Sequence, residues 1–271
     1  MRLGDESELQ RWLELGLGWC DEADAEAMLH FRRDLEISTK PDRSLVTQAD
    51  KAIEQRLRER ILAAYPDHGL VGEEFGTESA GASVRWYIDP IDGTHNFVRG
   101  VPLFGTLLAV ERDGVRQVGI MSAPAMRERW FARRGGGAWA KGSFDAIPRR
   151  IRASAVSQIE DAQLLYGSGA SIERSGRAPG FRGLLHEVWR ERGFGDFWGY
   201  ALVAEGAAEA MVEIGVNPWD LAAPEVVVDE AGGLLTDLDG QPRIDHLEVL
   251  ATNGILHPEM LARLLRPESA G

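Results

Sequence analysis

Two carboxylates three residues apart close the apolar run Trp86, Tyr87, Ile88, in the stretch Asp89-Pro90-Ile91-Asp92-Gly93-Thr94. Asp89 sits at the end of a predicted buried strand. Pro90 lacks the N–H that a sheet ladder needs, so the strand is expected to stop there. Gly93 permits a turn closed to most residues. Both carboxylates then converge on one point just beyond the strand end. Converging, partly buried anions repel each other and require a cation. The natural occupant is a hard divalent ion with oxygen ligands, such as Mg2+.

Acidic residues recur at other element ends. Glu73 and Glu74 follow a glycine after a short apolar run, Asp220 follows Trp219 at the start of a predicted helix, and Asp50 lies in the first turn of another. Each has an alternative reading: the helix dipole favours Asp50 and Asp220 where they stand, and Glu73 with Glu74 could be a solvated pair. Competing chemistries are missing from the sequence. The six histidines have no His-x-x-x-His spacing, and with one cysteine a structural zinc site is not expected. There is no Gly-x-Ser-x-Gly elbow and no phosphate-binding loop of the Gly-x-x-x-x-Gly-Lys type. Oxygen-ligated metal is the leading chemistry.

The elements that must position these groups can be read coarsely. Residues 7–33 have helical spacing, weakened at Gly16 and Gly18, which predicts a helix with a break. Residues 40–44 read as a turn. Thr47 is a helix N-cap with Asp50 three positions on, and Ile53, Leu57 and Ile61 form one face of the helix that follows. The segments 104–111 and 115–121, separated by Arg112-Asp113-Gly114, predict a hairpin. A strand is expected over 129–133 and a loop at Gly135 to Gly137. Further on, strands are predicted at 164–167 and 209–214, and helices at 181–192, 200–206 and from Trp219 to the Gly232-Gly233 stop.

A chain of 271 residues can bury a sizeable core, and a composition shift at 144–152 suggests a boundary near residue 150. The net charge of -13 argues against nonspecific nucleic-acid binding and serves solubility as well as metal binding. The short basic runs Arg133-Arg134 and Arg149 to Arg152 read as solvated edges or counter-charges. No segment offers the roughly 20 apolar residues of a membrane span. The polar start and the lone Cys20 make a reducing cytoplasm the expected compartment.

These residues resemble the inositol monophosphatase-like metal-dependent phosphatases. Gly72-Glu73-Glu74 is similar to the first glutamate motif of that family. Residues 86–97 (WYIDPIDGTHNF) resemble its Asp-Pro-x-Asp-Gly-Thr-x-Asn-Phe signature, and residues 219–233 (WDLAAPEVVVDEAGG) its C-terminal Trp-Asp signature. Residues 45–50 (LVTQAD) are similar to the segment carrying a further acidic ligand. The motifs stand in the right order across nearly the whole chain. In finer pattern (NFVRGVP at 96–102, GDFWGY at 195–200, LVAEG at 202–206) the chain is most similar to histidinol-phosphate phosphatases. Arg133 stands where a small residue is usual, and His95 where many members carry lysine or threonine.

The resemblance implies a layered α-β-α-β-α sandwich, an α+β to α/β fold. Residues 1–150 would form an α+β part with an antiparallel sheet and most metal ligands, and residues 151–271 an α/β part supplying Asp220 and substrate-reading residues. It implies two or three Mg2+ ions. Glu73, Asp89 and the Ile91 carbonyl would hold the first, Asp89, Asp92 and Asp220 the second, and a third would lie near Glu73 and Asp50. Glu73 and Thr94, with Asp50, would be catalytic; Gly93 and Thr94 amides would bind phosphate. Asp196, Glu213 and Asp220 would face the alcohol, where two carboxylates suit a cationic leaving group such as histidinol. Alternatively, Asp196 caps a helix and Glu213 pairs with a surface arginine. The implied activity is hydrolysis of histidinol phosphate in histidine biosynthesis. Alternatives are an inositol-phosphate or sugar-phosphate phosphatase, or an inactive metal-binding regulator, which would usually have a broken ligand set. Relatives imply a homodimer and inhibition by Li+. Arg99 is expected at a phosphate-steering position or a subunit contact.

Overall fold

The computed structural model describes residues 3–40 and 44–266. Most of the turn expected at 40–44 lies outside the described residues. Helix α1 (Leu3–His30) runs unbroken, against the expected break. A Cβ on Gly16 would come within 2.7 Å of Ile120 Cδ1. The missing side chain therefore lets α1 lie close on a sheet, and burial of Trp12, Trp19 and Cys20 outweighs the weak helix propensity of glycine. Strands β1 (Ile37–Thr39) and β2 (Leu45–Thr47) pair antiparallel. Helix α2 (Gln48–Ala64) opens on a capping box: Thr47 Oγ1 accepts from Ala49 N at 3.1 Å, and Asp50 Oδ2 accepts from Thr47 N at 2.8 Å.

The first large sheet holds β3 (Gly69–Gly72), β4 (Gly76–Glu78), β5 (Val84–Asp92), β6 (Gly105–Arg112), β7 (Val115–Ala123), β8 (Glu128–Arg133), β9 (Gly137–Lys141) and β10 (Arg149–Arg150). Its order is β10-β9-β8-β7-β6-β5-β3-β4, antiparallel except for β3 beside β5. The 112–114 hairpin forms as expected, with Asp113 and Gly114 at φ 51° and 79°. The strand expected to end at Pro90 instead continues to Asp92. Asp89 pairs with Leu107 and Asp92 with Gly105, so Pro90 and Ile91 together face Thr106 in a bulge. The bulge accommodates the proline, and Thr106 Oγ1 donates to the Pro90 carbonyl at 2.8 Å. Short helix α3 (Thr94–Val98) follows Gly93, which has φ 79°.

The second sheet contains β11 (Gln163–Tyr166), β12 (Arg190–Arg192), β13 (Ala210–Ile214), β14 (Leu234–Asp237) and β15 (Glu248–Thr252), in the order β12-β11-β13-β15-β14. Its helices are α4 (Gly169–Arg174), α5 (Ala178–Glu187), α6 (Asp196–Ala204), α7 (Pro218–Glu230) and α8 (His257–Leu264). The helix expected over 181–192 ends at Glu187. Val188 is extended, and residues 190–192 form an edge strand on β11; pairing in the sheet overrides local propensity there. The helix expected from residue 200 begins earlier, at Asp196.

The layers are α1 and α2, the first sheet, α6 and α7, the second sheet, then α4, α5 and α8. This is the expected α-β-α-β-α sandwich. Helix α7 lies in the middle with Leu221 to Val228 buried. Arg116 of β7 grips it, donating Nε to Glu225 Oε2 at 2.5 Å and Nη2 to Oε1 at 2.8 Å, while Arg134 reaches Asp229 at 3.3 Å. Arg134 and Arg149, the latter paired with Glu205, are thus counter-charges. Among the described residues no helix is long and apolar enough to cross a membrane.

Buried His257 lies between Thr236 Oγ1 (2.9 Å from Nε2) and Thr252 Oγ1 (3.0 Å from Nδ1). Thr236 already donates to the Asp237 carbonyl, so it accepts from Nε2–H, and Thr252 donates to Nδ1. A second ring proton would break the latter bond. Burial pushes His257 down to about 4. The stability this neutral ring contributes is therefore complete above its unfolded pKa of about 6.5 and is lost as pH falls toward 4. The buried carboxyls raised at Asp220, Glu213 and Glu74 act in the opposite sense, so the difference between proteins carries the test: between pH 7 and pH 5 the denaturant midpoint of His257→Gln should shift more favourably than that of the wild type. Equal shifts in both proteins would exclude a contribution from His257.

Candidate active site

Three carboxylates meet where the two sheets face each other. The bulge in β5 sets Asp89 and Asp92 near each other, and the first turn of α7 brings Asp220, so that one oxygen of each lies within 4.8 Å of the others. Asp220 also fulfils its innocent reading, accepting from Asn217 N at 2.7 Å in a capping box. Asp92 Oδ2 accepts from Phe197 N at 2.7 Å. Asp89 is only 2% exposed, and its buried Oδ1 has no hydrogen-bond partner among the described residues.

Desolvation is the first cause pushing all three carboxyls up. Glu73, Asp92 and Asp220 add repulsion at Asp89, and Asp196 and Asp220 add it at Asp92; Asp220 reaches about 7. Without positive charge the group must retain protons. An orphaned buried carboxylate oxygen, two further carboxylates in reach and no sulfur or imidazole fit a hard divalent cation. A second acidic group, Asp237, Asp239 and His246, is different. Asp237 is already satisfied by the amides of Asp239 and Gln241 and by Arg243.

Beside the three carboxylates stand Glu73, Asp50 and Thr94. Asp50 is fully buried; its Oδ2 takes the Thr47 hydroxyl at 2.5 Å, and its Oδ1 lies 3.3 Å from Thr94 Oγ1. The Thr94 hydroxyl also reaches the Ile91 carbonyl at 2.9 Å, which leaves that carbonyl a second lone pair. Glu73 and Glu74 are not a solvated pair. Lys40 Nζ joins both, at 2.8 and 2.6 Å, and desolvation raises Glu74 to about 7. Nothing in the local sequence marked Lys40 for this role. Glu54, discussed below, was also missed, although it stands one turn after Asp50 beside the apolar face of α2.

A cavity of about 430 Å3 opens from Asp92 and Asp220 toward Asp196, Glu213, Phe194 and Trp198. Asp196 makes no side-chain cap to α6; its Oδ2 accepts from Asn96 Nδ2 at 3.2 Å. Glu213 accepts from Tyr200 Oη at 2.7 Å, and no arginine pairs with it among the described residues. Both alternative readings of these two acids are therefore set aside. Desolvation and the Asp196 charge raise Glu213 to about 8. Exposed His95 lies at a wider mouth with Lys40, Glu73, Arg174 and Trp219; Arg99 is exposed and lines neither opening.

The model of the inositol monophosphatase family matches residues 8–269. The histidinol-phosphatase of Mycobacterium tuberculosis is 46% identical over 93% of this chain and 97% of its own length. That of Streptomyces coelicolor is 44% identical over 90% and 93%. Among solved structures, the inositol monophosphatase from Anabaena superposes with a TM-score of 0.83 at 28% identity, covering 97% of this chain and all of that one.

Proposed function

The chain belongs to the inositol monophosphatase family, and on that premise we propose that it is a Mg2+-dependent phosphoric monoester hydrolase that converts histidinol phosphate and water to histidinol and phosphate. The 46% and 44% identities to histidinol-phosphatases support the substrate. The observation that carries the reading is the pairing of two acidic places. One is the carboxylate convergence at Asp89, Asp92 and Asp220; the other, across one cavity, is Asp196 with Glu213. The first holds cations that attract a phosphate dianion. The second suits an alcohol bearing an ammonium group and an imidazole.

Two or three Mg2+ ions would be held by Glu73, Asp89, Asp92, Asp220 and the Ile91 carbonyl. Their charge would reverse the local sign and stabilise phosphoryl oxygens during in-line displacement. The chain does the rest. Thr94 Oγ1 spends its one hydrogen on the Ile91 carbonyl at 2.9 Å or on Asp50 Oδ1 at 3.3 Å, and either choice leaves a lone pair for a hydrogen of the attacking water. Glu73 accepts the other proton, and the alcohol oxygen takes up a proton from solvent water as its bond to phosphorus breaks. The Gly93 and Thr94 amides bind phosphate oxygens at the turn. Residues 1–150 thus supply most of the cation site, and residues 151–271 supply Asp220 and the groups facing the alcohol. We place the enzyme in the cytoplasm, where the buried lone Cys20 has no disulfide to form, and expect the homodimer common among relatives.

A phosphate-release panel tests this. With Mg2+, histidinol phosphate should be hydrolysed faster than inositol 1-phosphate or simple sugar phosphates, and chelation should stop turnover. Faster turnover of inositol 1-phosphate would refute the substrate. No release from any monoester would refute the activity.

A further inference from the structure

Fully buried Glu54 spends its carboxylate on the backbone of the turn that carries Glu73. Its Oε2 accepts from Glu74 N at 2.6 Å, and its Oε1 accepts from Phe75 N at 3.2 Å. Arg58 supplies the counter-charge, donating Nε to Oε1 at 2.8 Å. The same guanidinium donates to the Gly76 carbonyl and lies 5.9 Å from the Phe75 ring centroid. A Cβ on Gly72 would sit 2.0 Å from Glu54 Oε1, so the chain leaves that position bare to admit the carboxylate.

Burying a carboxylate is costly, and an apolar side chain would fill the same space without that cost. What only the carboxylate does here is accept two successive backbone N–H groups. Residues 73–75 link β3 to β4 in a tight turn; Glu73 N already donates to the Ile88 carbonyl at 3.2 Å, and Glu54 takes the next two amides, which no strand reaches. One helical turn earlier, Asp50 reaches Thr94. Helix α2 therefore sets both groups that flank the attacking water: Thr94 through Asp50, and Glu73 through Glu54.

We propose that Glu54 is a positioning residue for the cation site: its grip on the Glu74 and Phe75 amides fixes the Glu73 carboxylate in the place where it binds the ion. This rests on the reading of Glu73 as a ligand. Lys40 holds the carboxylate ends of Glu73 and Glu74 from the solvent side, whereas Glu54 holds the backbone from the core.

Glu54→Gln keeps the shape but removes one acceptor and the charge facing Arg58. The full-length protein is titrated with Mn2+ by calorimetry without substrate, and with Mg2+ while phosphate release is followed. We expect Mn2+ binding about tenfold weaker or more, and a matching rise in the Mg2+ needed for half activation, with kcat largely restored at high Mg2+. A purely structural role would lower the melting temperature in chelator and leave the Mn2+ affinity of the folded protein unchanged; that result overturns the proposal. If circular dichroism shows Glu54→Gln unfolded, Glu54→Asp, too short to span both amides, is measured in the same way, and unchanged Mn2+ affinity again overturns it. A wild type that binds Mn2+ but hydrolyses no monoester would refute the proposed activity, while the calorimetric comparison would still decide the role of Glu54.

Discussion

Asp89→Asn is expected to lower phosphate release by about 10^3-fold or more while leaving the protein folded. The magnitude follows from the several kcal/mol of charge stabilisation that a bound cation provides, at about tenfold in rate for each 1.4 kcal/mol. Asp89 is the member of the group that neighbours all the others: Glu73, Asp92 and Asp220 each repel its charge. It is also the one whose buried Oδ1 lacks a partner among the described residues. An amide keeps the shape and offers N–H donors to the surrounding carboxylates, so it relieves repulsion where an aspartate adds to it. A second readout follows. In chelator the variant should melt at or above the wild-type temperature, and the stabilisation that Mg2+ gives the wild type should vanish. Turnover near the wild-type rate would refute the ligand assignment. A large loss of stability in chelator would show that Asp89 contributes to the fold rather than to cation binding.

The legibility of this site in the sequence depended on how far apart its parts lie. Asp89 and Asp92 could be paired from residue types alone, because proline and glycine mark a strand end and a turn within six residues. The bulge was not foreseen. Proline argues against a ladder, and only the partner strand, with Thr106 donating to the Pro90 carbonyl, reveals that the ladder resumes at Asp92. Asp220 comes from a helix that approaches through packing on the first sheet, and no local pattern states that approach; the resemblance of residues 219–233 to a family signature did. Local propensity also failed at Gly16, where close packing of α1 replaced the expected break, and at 190–192, where an edge strand replaced helix. The capping box at Thr47 and the 112–114 hairpin were readable because each is decided within four residues. Lys40 and Glu54 were invisible for a common reason: each acts on Glu73 or Glu74 from a distant segment, and a single lysine or a glutamate on a charged helix carries no signature.

Glu213→Gln is the sharpest test of what the cavity recognises. Glutamine preserves volume, and its carbonyl can still accept from Tyr200 Oη, so the wall of the cavity should keep its form. What is lost is a charge. Desolvation, with the Asp196 charge added, pushes this carboxyl up to about 8. A cationic alcohol group beside it favours the ionised form, and binding should therefore release a proton at pH 7. Removing one partner of such a recessed charge pair costs a few kcal/mol, which corresponds to a fall of about 100-fold in kcat/KM for histidinol phosphate. Hydrolysis of a monoester with a neutral alcohol, such as glycerol 2-phosphate, gains nothing from the charge and should change little. Calorimetry of the product histidinol, which is not hydrolysed, in two buffers of different ionisation enthalpy should detect more proton release on binding to the wild type than to the variant. If both substrates lose rate in equal proportion, Glu213 supports the cavity wall and does not read the leaving group. The preference for a cationic alcohol would then have to arise at Asp196 alone, whose exchange for asparagine should collapse the same ratio.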